Sequence, residues 1–393
     1  MLHPISGKLM DPNSENILIT GGAGFIGSTL ALRLVAEGHV VTVLDNLSPQ
    51  IHSADPESSF TYQRIREKVR FIQGDIRDAA ILREAIEDQT VIIHLASETG
   101  TGQSMYEIER YVDVNIRGTS LLLDLLGNTK NKVRKLVLSS SRSVYGEGKY
   151  QCAVHGIVYP ASRHENDLSA GNFECSCPVC GNAIVLLATD ENTQKDPVSV
   201  YGLTKLHQED LVKLVCKNLH IPYTILRFQN VYGVGQSLSN PYTGILSIFS
   251  NLIRTGQTLN IFEDGLESRD FVYIDDIVEA LCLSIFEENA NNEIFNVGSG
   301  NPLNVLEVSQ TLADALDEKL EYEVTGDFRI GDIRHNFADL VRIHAALGYV
   351  PRTDFREGIA RFTAWSQQSA VNQSLYAESL DEMQSKGMFV RKN

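Results

Sequence analysis

The chain has 393 residues, 43% of them apolar and 21% charged, enough apolar side chain to bury a sizeable core and to exclude a disordered class. Lys and Arg number 34 against 50 Asp and Glu, a formal charge of -16. That balance disfavours nonspecific attraction to nucleic acid or an anionic membrane, so any bound phosphate must be held by local donors. No window approaches the roughly 18 unbroken apolar residues of a membrane span, and the opening MLHPISGKLMDPNSEN lacks the apolar stretch of a signal peptide. These features predict a soluble cytoplasmic protein with neither a nucleic-acid nor a membrane partner.

From Asn16 the chain reads ILIT, then GGAGFIGSTLALRLVAEG, then VVTVLDN. This is a buried strand, a glycine turn opening an amphipathic helix, and a second strand, which together make a βαβ unit. Gly22, Gly24 and Gly27 satisfy GxGxxG, and Gly21, Gly24 and Gly27 give a second register. Small residues there let the backbone turn tightly and let a pyrophosphate approach the amides at the helix start. Asp45 follows Gly24 by 21 residues, at the end of the second strand, where a carboxylate accepts hydrogen bonds from a ribose and repels a 2′-phosphate. The expected cofactor is therefore NAD rather than NADP. Asp75, after VRFIQG, is placed either to meet the adenine edge or simply to turn the chain at a strand end.

The alternation continues with a helix over 79–87, the strand TVIIHLA, a helix over 111–126 and the strand KLVLSSS. Strands alternating with helices predict an α/β fold with a doubly wound, Rossmann-type parallel sheet. After Ser141 the rhythm breaks for about sixty residues, then resumes with a helix over 201–218 and the strand YTILRFQNVYG. The expected organisation is a Rossmann domain over 14–232 with an insert at about 150–190, a smaller mixed α/β substrate domain over 233–366, and a polar tail over 367–393 that is either helical or mobile.

Tyr201 and Lys205 stand at i,i+4 spacing, one helical turn apart. A tyrosine titrates near 10 and serves as a base at neutral pH only when positive charge steadies its phenolate. Lys205 and an oxidised nicotinamide ring both supply such charge. The spacing alone is as common as a surface accident, and the surrounding motifs decide its meaning. TGGAGFIG at 20–27, LDNL at 44–47, GDIRD at 74–78, HLAS at 94–97, LSSSRSVYG at 138–146, YGLTK at 201–205, RFQNVYG at 227–233 and RDFVYIDDI at 269–277 occur in one order. In this the chain resembles the extended short-chain dehydrogenase/reductases of the nucleotide-sugar epimerase and dehydratase family, from about Asn16 to Trp365.

The resemblance implies that Tyr201 is the catalytic acid/base, that Lys205 orients it and binds the nicotinamide ribose, and that Ser141, rather than Ser139 or Ser140, meets the reacting oxygen. It implies cofactor contacts from Gly21, Gly24, Phe25, Ile26, Gly27, Asp45, Asn46, Asp75, Ile76, Leu95 and Ala96, besides Tyr201 and Lys205. Family dehydratases carry Asp-Glu directly after the catalytic Ser or Thr, where this chain has Arg142 and Ser143. Neither replaces the missing acid and base, so 4,6-dehydration is disfavoured, and a related sugar-acid decarboxylation loses its expected glutamate. What remains is epimerisation at C4, with a ketosugar reductase as the competing enzymatic reading and a noncatalytic nucleotide-sugar or NAD sensor behind it. Asp45 argues against a reductase preferring NADPH.

A sugar nucleotide brings a pyrophosphate, for which bidentate guanidinium groups are the expected partners. By resemblance Arg269 and Arg329 clamp it, Asn230 adds an amide donor, and Arg334 is a weaker candidate on the loop of Arg329. Ser97, Glu98 and Thr99, with Ser141 and Arg142, complete the substrate set. The expected substrate is a nucleotide-diphosphate sugar linked to dTDP or UDP.

Four of the six cysteines fall between residues 152 and 180, three of them in CAVHG and CPVCG. Two potential ligands separated by two residues and followed by glycine have the shape of a metal knuckle. Cys152, His155, Cys177 and Cys180 would form a closed Cys₃His site for structural zinc, with Cys175 a spare thiol able to replace His155. The other two, Cys216 and Cys282, lie in apolar helical patterns and read as small core residues. This insert, with QSLSNPYTG at 236–244, resembles a bacterial subgroup that includes dTDP-L-rhamnose 4-epimerases. Family resemblance also implies a homodimer packed through the helices at 111–126 and 201–218.

Overall fold

A computed structural model of the chain describes residues 14–238, 240, 242, 244–368 and 376–392. Seven parallel strands form the central sheet and are numbered here along the chain: β1 (Asn16–Thr20), β2 (Val40–Asp45), β3 (Arg70–Gln73), β4 (Val91–His94), β5 (Lys135–Ser141), β6 (Tyr223–Phe228) and β7 (Glu293–Val297). Their spatial order is β7-β6-β5-β4-β1-β2-β3. The chain thus starts in the middle of the sheet, runs outward to β3, and crosses back to continue from β4. The strand order reverses beside β1, and in such sheets ligands bind outside the carboxyl ends of the strands at that switch point.

Period-2 alternation builds both faces of the sheet. Ile17, Ile19, Ile93 and Val137 point into one apolar cluster, together with Leu30 and Leu34 of helix Phe25–Ala36 and Ile277 and Leu281 of helix Ile274–Phe286. Leu18, Ile92, Leu136 and Leu138 point into the other, against Leu82, Leu122 and Val212 of helices Ala79–Ile86, Gly118–Asn128 and Val200–Leu219. Side chains of this kind contribute roughly 1.5–3 kcal/mol each when fully buried, so a one-residue slip of any central strand would invert its whole apolar set. This is the doubly wound, Rossmann-type α/β fold read from the sequence.

Chain beyond residue 233 supplies β7 and helix Ile274–Phe286 to this core, and then builds a smaller mixed region. There Ser268–Tyr273 pairs with Asn230–Tyr232, Pro302–Asn304 and His335–Asn336, backed by helices Ile245–Arg254, Val305–Leu316 and Phe355–Ser366. The helix expected over 111–126 is interrupted: Ile108–Tyr111 is α-helical, Val112–Arg117 is a π-turn, and Gly118–Asn128 is α-helical again. Residues 150–186 hold a small antiparallel sheet of Tyr150–Cys152, Gly156–Val158 and Val185–Leu186. At the C-terminal end, helix Tyr376–Ser385 and strand Phe389–Val390 pack back on the molecule. Within QSLSNPYTG, Ser239, Pro241 and Thr243 lie outside the described residues, as do residues 1–13 and 369–375. Among the described residues, no helix is long and apolar enough to cross a membrane.

Candidate functional site

A cavity of about 600 Å³ runs along the carboxyl ends of the strands into the smaller region. All the cofactor, catalytic and substrate residues expected above line it, from Gly21 and Asp45 at one end to Arg269 and Arg329 at the other. Arg334 does not. Its side chain is fully buried behind the wall and bonded to Glu174, Glu263 and Asp264, so its place in the loop of Arg329 misleads.

The glycine turn is a close backbone crossing. A Cβ on Gly21 would lie 2.7 Å from Ala96 N, and one on Gly27 would lie 2.6 Å from Gly22 Cα. Gly24 caps helix Phe25–Ala36 without a side-chain acceptor, and the first turn has no acidic residue. The helix start therefore keeps its positive end open to an anion. Asp45 is buried, and its carboxylate accepts from Ala23 N and Leu47 N, both at 2.9 Å. Burial pushes its pKa up, while His52 at 3.7 Å and the amide donors oppose that shift. Asp75 is held by Arg77 and Asn46. Chiefly through the Arg77 hydrogen bonds, its pKa is drawn down to about 2, so its carboxylate is already engaged.

The three serines closing β5 separate by alternation. Ser139 Oγ donates to His94 O at 3.2 Å, and Ser140 Oγ donates to Glu209 at 2.5 Å. Of the three, only Ser141 stands near enough to the Tyr201 hydroxyl to draw on its pKa. Helix Val200–Leu219 brings Tyr201 to this point because Ser199 caps its start, accepting from Gly202 N at 3.1 Å. Gly202 is required beside it, since a Cβ there would lie 2.5 Å from Ser143 O. One turn on, Lys205 Nζ donates to Ser139 O at 3.0 Å, and burial pushes its pKa down to about 7. Burial raises the Tyr201 pKa, with the Ser141 hydrogen bond and the Arg142 guanidinium pulling it back. Arg142 thus adds a positive charge near the phenol, beside Lys205 one helical turn on in the same cavity wall.

Arg142 donates through Nε to Asn230 Oδ1 at 2.8 Å, and burial with the nearby Arg269 pushes its pKa down to about 9. Arg269 has both terminal nitrogens engaged, on Ser268 O, Arg334 O, Asp332 and Ile333 O. Arg329 packs 5.1 Å over the Phe262 ring, and its buried Nε has no partner. Asp332 stands among these cations. Burial pushes its pKa up, but the Arg269, Arg329, Arg142 and Arg163 charges outweigh that and hold it low. Arg142, Arg269 and Arg329 line the cavity around this one carboxylate and leave excess positive charge at this end of it, which suits a diphosphate. Glu98 lines the cavity with its carboxylate on Arg110 at 2.8 Å.

The insert brings its four expected ligands together: one donor atom from each of Cys152, His155, Cys177 and Cys180 lies within 4.8 Å of all the others. Cys152 Sγ and Cys177 Sγ each stand 3.6 Å from His155 Nδ1, and Cys152 Sγ stands 3.8 Å from Cys180 Sγ. A tetrahedron with metal–sulfur bonds of about 2.3 Å and a metal–nitrogen bond of about 2.05 Å has edges of about 3.8 and 3.6 Å, so these separations suit a four-coordinate ion. Gly156 and Gly181, which close the two knuckles, both have φ of +72°. Cys175 stays outside the cluster, buried and with its pKa pushed up by burial.

Comparison with known proteins places this geometry. Residues 17–162 and 175–298 match the model of the NAD dependent epimerase/dehydratase family. The chain belongs to that family. Among its epimerase/dehydratase relatives, dTDP-L-rhamnose 4-epimerase of Burkholderia thailandensis is 38% identical over 366 residues, 93% of this chain and 98% of that protein. A putative UDP-glucose 4-epimerase of Methanocaldococcus jannaschii is 30% identical over 89% of this chain and 97% of its own. UDP-glucuronic acid 4-epimerase from Bacillus cereus, solved with UDP-glucuronic acid and NAD, aligns with a TM-score of 0.73 at 25% identity, covering 90% of this chain and 99% of that one.

The structure of this epimerase/dehydratase chain adds site residues that sequence reading misses. Asn115, fully buried in the π-turn, accepts from Glu98 N at 2.8 Å and donates to Glu98 O at 3.1 Å and Thr204 Oγ1 at 3.0 Å. It fixes the Ser97–Thr99 loop against the helix of Tyr201; an asparagine inside an apolar helical pattern was its signal. His52 stands 3.7 Å from Asp45, at the end of the short helix Pro49–His52, where no motif marks it. Glu267 lines the cavity, with Oε2 buried and unpartnered and its pKa pushed by burial to about 8. Tyr376 reaches the same cavity from the C-terminal segment.

Proposed function

We propose that this chain is an NAD-dependent nucleotide-sugar 4-epimerase acting on a dTDP- or UDP-linked hexose, with Tyr201 as acid/base. The observation that carries this reading is the convergence of Ser141 and Tyr201 midway along one cavity that joins the glycine turn to the arginine cluster. The uncapped helix start and the Gly21 and Gly27 crossings fit a dinucleotide, with Asp45 toward the adenosine ribose and Lys205 toward the nicotinamide ribose. NAD, when bound there, accepts a hydride from the sugar carbon and returns it.

Tyr201 withdraws the C4 hydroxyl proton, and Ser141 holds the same oxygen as it becomes a carbonyl. Arg142 contributes a nearby positive charge that opposes the upward push of burial on the phenol. Arg329 and Asn230 hold the diphosphate, with Arg269 adding its charge beside them, so the hexose is anchored at one end and can present its other face before Tyr201 gives the proton back. No acid or base stands directly after Ser141 to carry the reaction on to dehydration. The sequence similarity to dTDP-L-rhamnose 4-epimerase favours a deoxyhexose on dTDP.

The functional division follows the cavity, with residues 14–232 holding the dinucleotide and 233–366 the nucleotide sugar. Structural zinc in the Cys152, His155, Cys177 and Cys180 cluster is supported by the tetrahedral spacing and leaves no open position for chemistry. A homodimer through the helices around 108–128 and 200–219 is supported by Ile108, Val112, Leu203 and Leu214, which are apolar and exposed there.

The test is incubation of the purified protein with a panel of dTDP- and UDP-sugars, with no added cofactor and products followed by NMR. The expected result is conversion of at least one sugar to its C4 epimer. Activity only when reduced cofactor is consumed would replace the epimerase with a ketosugar reductase, and no activity on any member would defeat the assignment.

A further inference from the structure

The C-terminal segment lies beyond every motif that identifies the family, yet its residues are interior. Tyr376, Leu380, Met383 and Phe389 are buried in the main apolar cluster. Strand Phe389–Val390 pairs antiparallel with Phe328–Arg329, setting Phe389 opposite Arg329. Ile330 N donates to Met388 O at 3.1 Å, and Lys392 N donates to Asp327 at 2.8 Å. The backbone that presents Arg329 is therefore held by the segment itself.

Two side chains carry the segment to the cavity. Arg329 stands beside the Tyr376 hydroxyl, its charge opposing the upward push of burial on the phenol, and both residues line the cavity. Arg329 keeps a buried Nε with no hydrogen-bond partner. Glu382 accepts from Tyr106 Oη at 3.3 Å and from Tyr242 Oη. Tyr106 closes the turn after Thr101–Ser104, whose first residue lines the cavity, and Tyr242 lines it from the opposite, smaller region. Gly102 makes room for the contact, since a Cβ there would lie 3.2 Å from Met383 Sδ.

We propose that residues 376–392 form part of the nucleotide-sugar pocket, with Tyr376 a binding residue that aims the Arg329 guanidinium at the substrate diphosphate. Glu382 is a positioning residue that ties together the loops on the two sides of the cavity. This inference rests on the nucleotide-sugar reading above and deepens it. A phenol beside the guanidinium, on a segment whose strand pairs with that of Arg329, limits where the planar group can swing and keeps its donors toward the cavity. A single carboxylate accepting from two phenols holds two regions that share no strand.

The test is calorimetric titration of UDP and dTDP into the full-length, NAD-loaded protein and its Tyr376→Phe, Glu382→Gln and Asp381→Asn variants. The losses at stake are hydrogen bonds to charged groups, so Tyr376→Phe is expected to weaken the better ligand by about ten-fold and Glu382→Gln by about three- to ten-fold. NAD content and melting temperature should stay at the wild-type values. Asp381, paired with Arg391 on the exposed side of the same helix, is the control and should bind like wild type. Wild-type affinity in both Tyr376→Phe and Glu382→Gln would overturn the proposal while leaving the epimerase assignment in place. Weakening in Asp381→Asn as large as in the other two would also overturn it, since the segment would then act only through stability. If the wild type binds neither nucleotide, this proposal and the nucleotide-sugar reading both fall.

Discussion

Tyr201→Phe is expected to lower kcat by about 10²–10⁴-fold, the range for losing a positioned acid/base, while leaving NAD bound. The substitution removes one oxygen and keeps the ring, so the packing of helix Val200–Leu219 is retained. That oxygen stands beside Ser141 at the end of β5 and lines the cavity with it. Burial works against its ionisation, so the hydroxyl depends on local charge, with Arg142 acting on it directly and Lys205, drawn down to about 7 by its own burial, one turn away. Turnover and the nucleotide released from denatured protein, measured on the same preparation, provide the check. A kcat within ten-fold of wild type would remove Tyr201 from the proton transfer.

Loss of the metal from the insert is expected to have the next largest effect. Purified protein should contain about one zinc per chain, and Cys177→Ser should lose it, because a closed tetrahedral site with three ligands no longer competes with water and chelators. The apolar cluster around the metal site is small, Tyr150, Cys152, Val158, Cys175 and Cys177 with Ile184 and Leu186 against it, while Leu168 and Phe173 pack elsewhere on Phe328. Removal should lower the first melting transition by on the order of 5 °C, corresponding to several kcal/mol in a chain of this size. The damage should also reach the cavity wall. Arg163 of the insert forms a bidentate pair with Glu263 at 2.8 and 2.9 Å, and Glu174 holds Arg334 at 2.5 Å, next to the carbonyl that anchors Arg269. KM for the nucleotide sugar should therefore rise along with the loss of stability. Metal analysis and calorimetry of the two proteins decide the matter: metal-free protein, or a Cys177→Ser variant that melts like wild type, would contradict the assignment.

What the sequence shows plainly is what depends on local pattern. The glycine turn, Asp45 at a strand end and Tyr201 with Lys205 on one helix turn are short-range arrangements, and parallel strands buried on both faces announce themselves as apolar runs. The Cys and His knuckles are legible for the same reason, each being a tight turn closed by glycine. What escapes is set by register and long-range packing. Arg329 and Arg334 share one loop, but a turn at Gly331 sends the second guanidinium behind the wall. That Arg142 joins Lys205 near the phenol is set by long-range packing, which holds its Nε on Asn230 while Lys205 Nζ rests on Ser139 O. The π-turn that aims Asn115 has no periodic signature distinct from a helix. The C-terminal helix reads as polar because only Tyr376, Ser379, Leu380 and Met383 face inward.

The central claim is tested most directly by isotope. A nucleotide sugar carrying deuterium at C4 is converted to its epimer in ordinary water with no cofactor added, and the product is examined by NMR and mass spectrometry. The account predicts that the epimer keeps its deuterium at C4, because the hydride is lent and returned within one closed pocket while only the Tyr201 proton is shared with the hydroxyl oxygen. An epimer that has lost the label to solvent would contradict it and point instead to deprotonation at carbon.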